Sequence, residues 1–445
     1  MNKWRQLYHI EPKKGWLKDP NGLCFFKGYY HVFYQYAYEA GGGNKHWAHL
    51  KSKDLIKWEE APIFLYPDRE FDKSGAYSGS AYIKDDTMHV FYTGNVKNPG
   101  DFDYIYKGRE HNTVYVSTMD GENTSDKKVL MYNKDYPEGL SCHVRDPKVF
   151  DYEGKYYMVL GARTEKDKGE VLVFESVNLE EWKHIYTFET LAKFGYMWEC
   201  PDLFEINGQW ILMACPQGLS GSKYEFQNIY SCGYFLIEGD FRKNGYITEY
   251  KELDFGFDFY APQTFLHDGR RLLLGWMGMP DADYKNPTTE YGYQHCMSVF
   301  RELDFKDNTL YMEPARELDT LRKLKWEFTV GEEAYNISNE EAAFDLELEN
   351  MGIKLELKIF DTATIDFDED RGDLVLHFNE NGFGRENRYL RLKKLESLRV
   401  LIDRSSVEIF INEGKYCMSS RIYPASYEKI EICGNATGKL YSLDV

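Results

Sequence analysis

Three acidic residues share a sequence context that could support catalysis, because each lies within two residues of a proline and before an apolar strand. They are Asp19 in KDPNGL, Asp146 in RDPKVF and Glu199 in ECPDLF. Carboxyl groups that meet in one cavity can act as nucleophile and as proton donor. The chemistry therefore depends on whether the fold brings the three residues together.

The same kind of segment occurs five times along the chain, which indicates a repeat fold. The segments are 18–23, 77–82, 145–150, 199–204 and 260–265, spaced by roughly 55 to 70 residues. Each runs into a hairpin with a Gly or acidic turn, and later strand signals predict four strands per repeat. Five such repeats predict an all-β chain that begins with a five-bladed β-propeller. We expect the three carboxylates at equivalent positions around its central channel.

The five-fold period ends near residue 320, where we place a domain boundary. Residues 1–315 form the predicted propeller, and residues 325–445 carry alternating runs typical of a C-terminal β-sandwich. The segment 313–322 is the best candidate for a short helix. In LRVLIDRSSVEIFIN (398–412), apolar and polar residues alternate, which predicts a strand pair with one buried face.

Composition and charge limit the possible functions. A chain of 445 residues is expected to form two domains, and its net charge of −19 opposes binding to nucleic acid and anionic membranes. The N-terminus lacks a signal-peptide core and no apolar run could span a membrane, which predicts a cytoplasmic protein. Eight cysteines without a CxxC pair predict reduced thiols and no metal site. His46 and His49 lie in a predicted strand and are not expected to bind a metal.

Three carboxylates in one cavity cannot all be comfortably ionised. At least one is expected to have a raised pKa and to donate a proton near neutral pH. An acid beside a carboxylate nucleophile is the arrangement of retaining glycoside hydrolysis, with the carboxyl groups about 5 Å apart. A single Asp-Pro pair usually marks a turn, but three in related positions favour a shared site.

The motifs around these residues resemble glycoside hydrolase family 32, the β-fructofuranosidases that include invertases, sucrose-6-phosphate hydrolases and fructan hydrolases. The resemblance covers essentially the whole chain. The motifs that carry it are WLKDPNG (16–22), FYQY (33–36), YSGSA (77–81), HVRDPKVF (143–150), WECPDLF (198–204), DFYAPQTF (258–265) and DRSSVEIF (403–410). It implies a five-bladed propeller joined to a β-sandwich, with no metal or organic cofactor.

The resemblance also implies a role for each carboxylate. Asp19 matches the nucleophile that attacks the anomeric carbon of a fructofuranosyl unit, and Glu199 matches the general acid/base. Asp146 matches the residue that holds fructosyl hydroxyls and stabilises the transition state, with Arg145 beside it. Neighbours in a regular strand point to opposite faces, so Arg145 and Asp146 can both enter the cavity only if the strand ends or bulges at Pro147.

Further residues are predicted to contact the substrate, a small fructoside. They are Lys18, Asn21, Gln35, Tyr77, Ser78, Arg145, Asp258 and Trp276. For Tyr77 and Trp276, packing between strands is the alternative interpretation, and Gln35 could simply end a buried run.

The sequence departs from the family pattern around the substrate rather than at the catalytic acids. Lys18 stands where most members have Asn, so it could depress the pKa of Asp19 or meet an anionic substituent on the substrate. After FYQY the usual Asn-Pro is replaced by Ala37 and Tyr38, and the Trp expected before Gly-Asn is absent, so the loop lacks an aromatic wall. Plain sucrose is therefore not expected to be the best substrate.

The predicted reaction is retaining hydrolysis of terminal β-D-fructofuranosides, with sucrose, sucrose 6-phosphate and short fructo-oligosaccharides as candidate substrates. The acidic net charge gives no support to a phosphate site. A fructosyltransferase using the same acids, an inverting pentosidase and a non-catalytic fructoside-binding propeller remain alternatives. A homodimer formed through the sandwich is also compatible with the sequence.

Overall fold

The structure is a computed structural model that describes residues 3–331, 333–338 and 342–445. Regular structure in these ranges is almost entirely β. The helices described are four short 3₁₀ helices: Asn133–Asp135, Pro287–Tyr291, Arg316–Leu321 and Glu380–Gly382. Arg316–Leu321 lies within the predicted short helix. None of the described helices has the length and apolar composition needed to cross a membrane.

Three antiparallel four-stranded meanders follow one another in the first part of the chain. Sheet 1 contains β1 (Gly15–Phe26), β2 (Tyr29–Ala37), β3 (His46–Ser52) and β4 (Trp58–Leu65). Sheet 2 contains β5 (Ala76–Lys84), β6 (Thr87–Lys97), β7 (Arg109–Thr118) and β8 (Lys128–Met131). Sheet 3 contains β9 (Leu140–Tyr152), β10 (Lys155–Thr164), β11 (Gly169–Ser176) and β12 (Lys183–Phe188).

Two further sheets complete this part of the chain, up to residue 314. Sheet 4 contains β13 (Met197–Ile206), β14 (Gln209–Gln217), β15 (Gly233–Glu238), β16 (Tyr246–Ile247) and β17 (Lys251–Glu252). The next strands are β18 (Tyr260–His267), β19 (Arg270–Met277), β20 (Tyr293–Gln294), β21 (Cys296–Met297), β22 (Arg301–Lys306) and β23 (Thr309–Pro314). Sheet 5 consists of these strands except β20, which pairs in parallel with β1.

The first strands of the five sheets contact one another in a closed ring, in the order β1, β5, β9, β13, β18 and back to β1. Buried apolar side chains fill the spaces between neighbouring sheets. The segments that the sequence repeat identified lie on these ring strands, so their side chains can reach one central space.

Each ring strand is interrupted by a β-bulge close to its start. The register of pairing with the next strand shifts after Leu17, Tyr77, Arg145, Glu199 and Tyr260. A bulge bends the strand and redirects side chains, and bulges are frequent beside active sites. The first strand of each of sheets 1 to 5 has such a bulge near its start. The side chains at these bulges therefore converge at one end of the ring.

The remaining strands form two six-stranded antiparallel sheets around their own apolar core. One sheet contains β24 (Arg322–Val330), β26 (Ala343–Glu349), β31 (Ser397–Asp403), β32 (Ser406–Ile411), β33 (Tyr416–Arg421) and β35 (Ala436–Leu443). The other contains β25 (Tyr335–Ser338), β27 (Lys354–Ile359), β28 (Ala363–Asp368), β29 (Asp373–Phe378), β30 (Asn387–Arg391) and β34 (Lys429–Cys433).

The predicted half-buried strand pair in 398–412 differs from the structure in one respect. The alternating apolar residues, such as Val400 and Ile409, do face the core between the two six-stranded sheets. However, every residue of β32 is buried, because the opposite face, with Glu408 and Phe410, packs against the first five sheets. An alternating pattern predicts that the polar residues face solvent, whereas here they face another part of the protein.

Candidate active site

Asp19 lies in the bulge of β1, and its two carboxylate oxygens have different surroundings. Oδ2 accepts hydrogen bonds from Gln35 Nε2 at 3.0 Å and Ser78 Oγ at 2.8 Å. Oδ1 is buried and has no hydrogen-bond partner among the described residues. Gln35 and Ser78 come from β2 and β5, so two strands hold one oxygen in place and leave the other free to react.

Lys18 faces the free oxygen of Asp19. Its Nζ lies 3.6 Å from Asp19 Oδ1 and 5.4 Å from the centre of the Trp276 ring. Burial opposes the charged form, but the carboxylates of Asp19 and Glu199 outweigh it and raise the pKa of Lys18. The Lys18 ammonium therefore stays charged, and the carboxylates of Asp19 and Glu199 neutralise its charge.

The side chains of Arg145 and Asp146 lie on the same side of β9, with Arg145 Nε 3.8 Å from Asp146 Oδ2, as the predicted bulge requires. Arg145 pairs with Gly161 and Lys148 with Val159, so two residues of β9 lie opposite one of β10. Asp146 has a left-handed φ of 65°. Its backbone N–H donates to Thr93 Oγ1, and its Oδ2 accepts from the Cys200 N–H, both at 2.9 Å. The bulge turns consecutive side chains to one face and ties them to neighbouring strands.

Glu199 accepts hydrogen bonds at both of its oxygens. Arg145 donates to Oε1, with Nε at 3.2 Å and Nη2 closer. Oε2 accepts from Tyr260 OH at 2.7 Å and Gln217 Nε2 at 2.8 Å. Burial favours the neutral acid, but Arg145 and Lys18 outweigh it and lower the pKa of Glu199.

The expected raised pKa is found at Asp146. Burial raises the pKa of Asp146 to about 6, the charge of Arg145 opposes the rise, and the charges of Glu199 and Asp19 add to it. The three carboxylates therefore act on one another as predicted. Below about pH 6 the proton that the carboxylates retain resides on Asp146 rather than on Glu199, because the Arg145 guanidinium contacts Glu199 directly and lowers its pKa.

The expectation that the three carboxylates occupy equivalent strand positions is wrong. Asp19 is the second bulged residue of β1, because Leu17 pairs with Tyr36 and Pro20 with Tyr34, whereas Asp146 is the first bulged residue of β9. Glu199 pairs with Cys215 just before its bulge, which is the place that Arg145 has in β9. Cys200, with a φ of 48°, has the place of Asp146. Counting back from each proline would have revealed the offset of Glu199 but not that of Asp19, because Pro20 pairs with Tyr34 whereas Pro147 lies in the bulge.

Three of the predicted substrate-binding residues have other surroundings. Asn21 is fully buried, where it donates to the Asp19 carbonyl and accepts from the Gly79 N–H, so it links β1 to β5. Asp258 is fully buried and accepts two hydrogen bonds from Arg385 at 2.8 Å, plus one from the Arg421 N–H.

Trp276 is also fully buried and packs between Lys18 and His295, so its ring is not accessible for stacking against a sugar. For this residue the burial favours the packing interpretation. Tyr77 differs, since it is half-buried and lies 5.8 Å from the His111 ring, at the border of the site.

Tyr260 and Gln217 contact Glu199 but were not predicted as site residues. Tyr260 stands two residues before Pro262, as Glu199 stands two residues before Pro201, so the repeat contained a usable signal. Gln217 ends β14 and has no such signal.

A cavity that combines buried carboxylates with a guanidinium and an ammonium, on a ring of antiparallel sheets, is the arrangement of a carboxylate-dependent glycoside hydrolase. Matches to known proteins give the family. The description "Glycosyl hydrolases family 32 N-terminal domain" matches residues 9–314, and "Glycosyl hydrolases family 32 C terminal" matches residues 315–445. The chain belongs to glycosyl hydrolase family 32.

Relatives and solved structures agree with this assignment. A sucrose-6-phosphate hydrolase of Bacillus subtilis (strain 168) is 39% identical, over 98% of this chain and 92% of its own length. A Bombyx mori GH32 beta-fructofuranosidase and a sucrose-6-phosphate hydrolase from Lactobacillus gasseri both superpose with a TM-score of 0.87 at 29% identity, over 100% of this chain and 94% of theirs. The predicted family and enzyme class, a glycoside hydrolase acting on β-fructofuranosides, are confirmed.

Proposed function

We propose that this enzyme hydrolyses sucrose 6-phosphate and related terminal β-D-fructofuranosides with retention, through a fructosyl ester of Asp19. The observation that carries the proposal is the asymmetry of Asp19. One of its oxygens is held by Gln35 and Ser78, and the other is buried without a hydrogen bond in the described residues. A nucleophile needs one oriented and unencumbered oxygen, and this geometry supplies it.

In the first step, Asp19 Oδ1 attacks the anomeric C2 of the fructosyl unit while Glu199 donates its proton to the leaving oxygen. In the second step, Glu199 removes a proton from water, which attacks C2 and releases fructose from Asp19. Lys18, 3.6 Å from Asp19 Oδ1, stabilises the carboxylate before attack and again as it leaves. Asp146 binds fructosyl hydroxyls and supports the positive charge that develops on the ring.

The proton shared by the catalytic carboxylates has to move from Asp146 to Glu199 before this reaction can occur. Without substrate, Arg145 lowers the pKa of Glu199 while burial raises that of Asp146 to about 6. When substrate hydroxyls donate to Asp146, its anionic form is favoured. The leaving-group sugar also excludes water from Glu199 and favours its neutral form. Substrate binding thereby transfers the proton to the residue that must donate it.

We propose that sheets 1 to 5 are the blades of a five-bladed propeller and that the two six-stranded sheets form a β-sandwich. The closed ring of contacts among β1, β5, β9, β13 and β18 supports the propeller. The two family descriptions meet between residues 314 and 315, which supports a domain boundary near the predicted position. All eight cysteines are free thiols, seven of them buried, in keeping with a reducing cytoplasm.

The phosphorylated substrate is proposed from the names of relatives that share the whole length of this chain. The test compares kcat/KM for sucrose 6-phosphate, sucrose, kestose and inulin, with NMR detection of the anomer of fructose released first. We expect β-fructofuranose first and sucrose 6-phosphate as the best substrate. Release of the α-anomer first would contradict retention, and oligosaccharide products at high substrate concentration would indicate transfer.

The covalent step has a separate test. When Glu199→Gln is supplied with β-D-fructofuranosyl fluoride, whose leaving group needs no protonation, the enzyme should accumulate a fructosyl ester that intact-protein mass spectrometry detects and peptide mapping places on Asp19. Asp86→Asn is the matched control, since it makes a similar charge-to-amide change in an exposed turn with a left-handed φ that Asn tolerates. Absence of the ester from Glu199→Gln, together with unchanged turnover, would contradict the assigned roles.

A further inference from the structure

One arginine at the rim of the site has no partner in the structure. Arg109 is half-buried at the start of β7, and its Nε is buried without a hydrogen bond. In the part of the chain that the structure describes, its guanidinium makes no hydrogen bond or ion pair. A half-buried cation without a counterion is costly, since burial favours the loss of charge that a guanidinium does not undergo.

The ionisable groups that act most strongly on Arg109 include one cation, Arg145, and no carboxylate. Burial lowers its pKa, and the ionisable groups that act on it most are Tyr77, Arg145, Cys142 and Tyr104. Lys97, its cross-strand partner on β6, is exposed and has no ion pair among the described residues. Although the chain has a net charge of −19, Arg109 and Lys97 form a local pair of positive charges without an ion pair among the described residues. This local charge points to an anionic ligand.

The position of Arg109 relates it to the leaving group rather than to fructose. Arg145 contacts Glu199, which must approach the oxygen of the leaving sugar. Arg109 lies two residues before His111 on β7, so the two side chains are on the same face of the strand. The His111 ring lies 5.8 Å from the Tyr77 ring and 5.4 Å from the ring of His143, which hydrogen-bonds to Arg145. A sugar that departs past Glu199 would therefore place its substituents toward Arg109.

The segment beside Arg109 is held in a defined shape. His143 Nε2 bonds to the Tyr104 carbonyl at 3.0 Å, and the Cys142 N–H donates to the Ile105 carbonyl at 2.8 Å. The Asn98 N–H donates to the Gly108 carbonyl at 2.8 Å and closes the segment next to Arg109. A ligand would meet a cation whose backbone is already fixed, which lowers the entropic cost of binding.

Other basic residues of the site fit this role less well. Lys18 is balanced by Asp19 and Glu199. Lys45 Nζ donates to the Gly43 carbonyl at 2.9 Å and lies 3.7 Å from the centre of the Trp16 ring, and burial with the nearby Lys18 lowers its pKa to about 7. Arg163 donates to Asp167 at 2.9 and 2.6 Å. Arg109 differs from these three residues in having no acceptor in the described structure.

We propose that Arg109, assisted by Lys97, binds the phosphate of a fructoside whose leaving sugar carries a phosphate monoester. The inference rests on the proposed function and adds the residues that select its substrate. A guanidinium presents several N–H donors in a planar fork that matches phosphate oxygens, so it suits this ligand better than a neutral hydroxyl.

The test measures kcat and KM for sucrose 6-phosphate and for sucrose in Arg109→Gln, Arg109→Lys and the matched control Arg163→Gln. The control removes a rim guanidinium that Asp167 already neutralises. We expect Arg109→Gln to lower kcat/KM for sucrose 6-phosphate by roughly 10- to 100-fold, the scale of a lost charge-assisted hydrogen bond. The effect should fall on KM, sucrose should be unaffected, and Arg109→Lys should recover part of the loss. An equal loss for both substrates, or none for either, would overturn the proposal.

A binding measurement separates this inference from the proposed function. Glucose 6-phosphate and glucose are titrated calorimetrically into the wild-type enzyme and Arg109→Gln. If the wild-type binds glucose 6-phosphate more tightly than glucose and the variant does not, the phosphate site stands even if no fructoside is cleaved. If fructosides are cleaved but the wild-type does not distinguish the two sugars, the hydrolase stands and the phosphate site is wrong.

Discussion

Two clusters of buried charged residues in this protein differ in whether every carboxylate oxygen accepts a hydrogen bond. The interface cluster, formed by His9, Asp403, Glu408 and Arg301, joins the N-terminal segment, the first five sheets and the six-stranded sheet. Asp403 accepts from three backbone N–H groups and from His9 Nδ1 at 3.1 Å. Glu408 accepts from His9 Nε2, the Val299 N–H and Arg301 Nη2. All four carboxylate oxygens are used.

The catalytic cluster, formed by Lys18, Asp19, Arg145, Asp146 and Glu199, is less deeply buried and is incomplete. Asp19 Oδ1 has no hydrogen bond within the described residues. A buried polar atom without a partner costs free energy, and natural proteins retain such defects mainly where function requires them. The interface cluster also has one buried donor without a hydrogen bond in the described residues, Arg301 Nε, but both of its carboxylates are fully hydrogen-bonded. The comparison teaches that the carboxylates of the interface use every oxygen, whereas the carboxylate assigned as nucleophile keeps one oxygen for the substrate.

The largest expected effect of breaking the catalytic cluster is on rate. Asp19→Asn should lower kcat by roughly four orders of magnitude or more, the scale of losing a catalytic nucleophile in a hydrolase. Its Tm should change little, because Asp19 Oδ1 has no hydrogen bond in the described residues and Lys18, 3.6 Å away, retains the charge of Glu199 nearby. Steady-state kinetics and thermal denaturation measure the two quantities. A large drop in Tm would show that Asp19 supports the fold as well.

Asp258→Asn tests the opposite case, because Asp258 was predicted to bind substrate and is instead paired with Arg385. Removing one partner of a buried ion pair should cost about 3–5 kcal/mol of stability. Thermal denaturation should show a lower Tm, while kcat per folded molecule stays near normal. The double variant Asp258→Asn/Arg385→Met should recover part of the stability. An unchanged Tm with a raised KM would restore the substrate-binding interpretation.

The interface cluster should also make stability depend on pH through His9. Burial opposes the charged imidazole, but hydrogen bonds to Asp403 and Glu408 raise the pKa of His9 from 6.5 to about 9. A raised folded-state pKa stabilises the protein fully below pH 6.5, and this stabilisation, about 3 kcal/mol, is lost as pH rises through 9. Chemical denaturation of the wild-type and His9→Gln across this range measures it. Parallel curves for the two proteins would contradict the assignment.

The smallest effect concerns the pH dependence of the reaction. The productive enzyme keeps one proton on the catalytic carboxylates, so kcat/KM should fall as pH rises through about 6, the pKa of Asp146 in the free enzyme. Arg145→Gln removes a cation that favours the ionised carboxylates and should move this fall to higher pH by roughly one to two units. A pH profile of kcat/KM tests the shift even if the variant is slow. A shift to lower pH would show that Arg145 does not control the proton.

Much of the fold and part of the site could be predicted from the sequence. The repeated Pro and Gly segments located all five ring strands, because strand and turn preferences act over a few residues. The bulge at Pro147 followed from the need to turn Arg145 and Asp146 to one face, and the structure contains it. The offset of Glu199 was missed because a bulge changes the register by one residue, which the identity of the acid does not reveal.

The sequence by itself determined the family, the five repeated segments and the three acidic residues that carry the proposed chemistry. The tertiary structure alone decided how each charge is balanced. Asp258 and Arg385 are 127 residues apart in the chain, and no local pattern links them. Arg109 is distinguished by the absence of a partner within the described residues. The electrostatic state of a buried group depends on groups brought near it from distant parts of the chain, and folding alone brings them there.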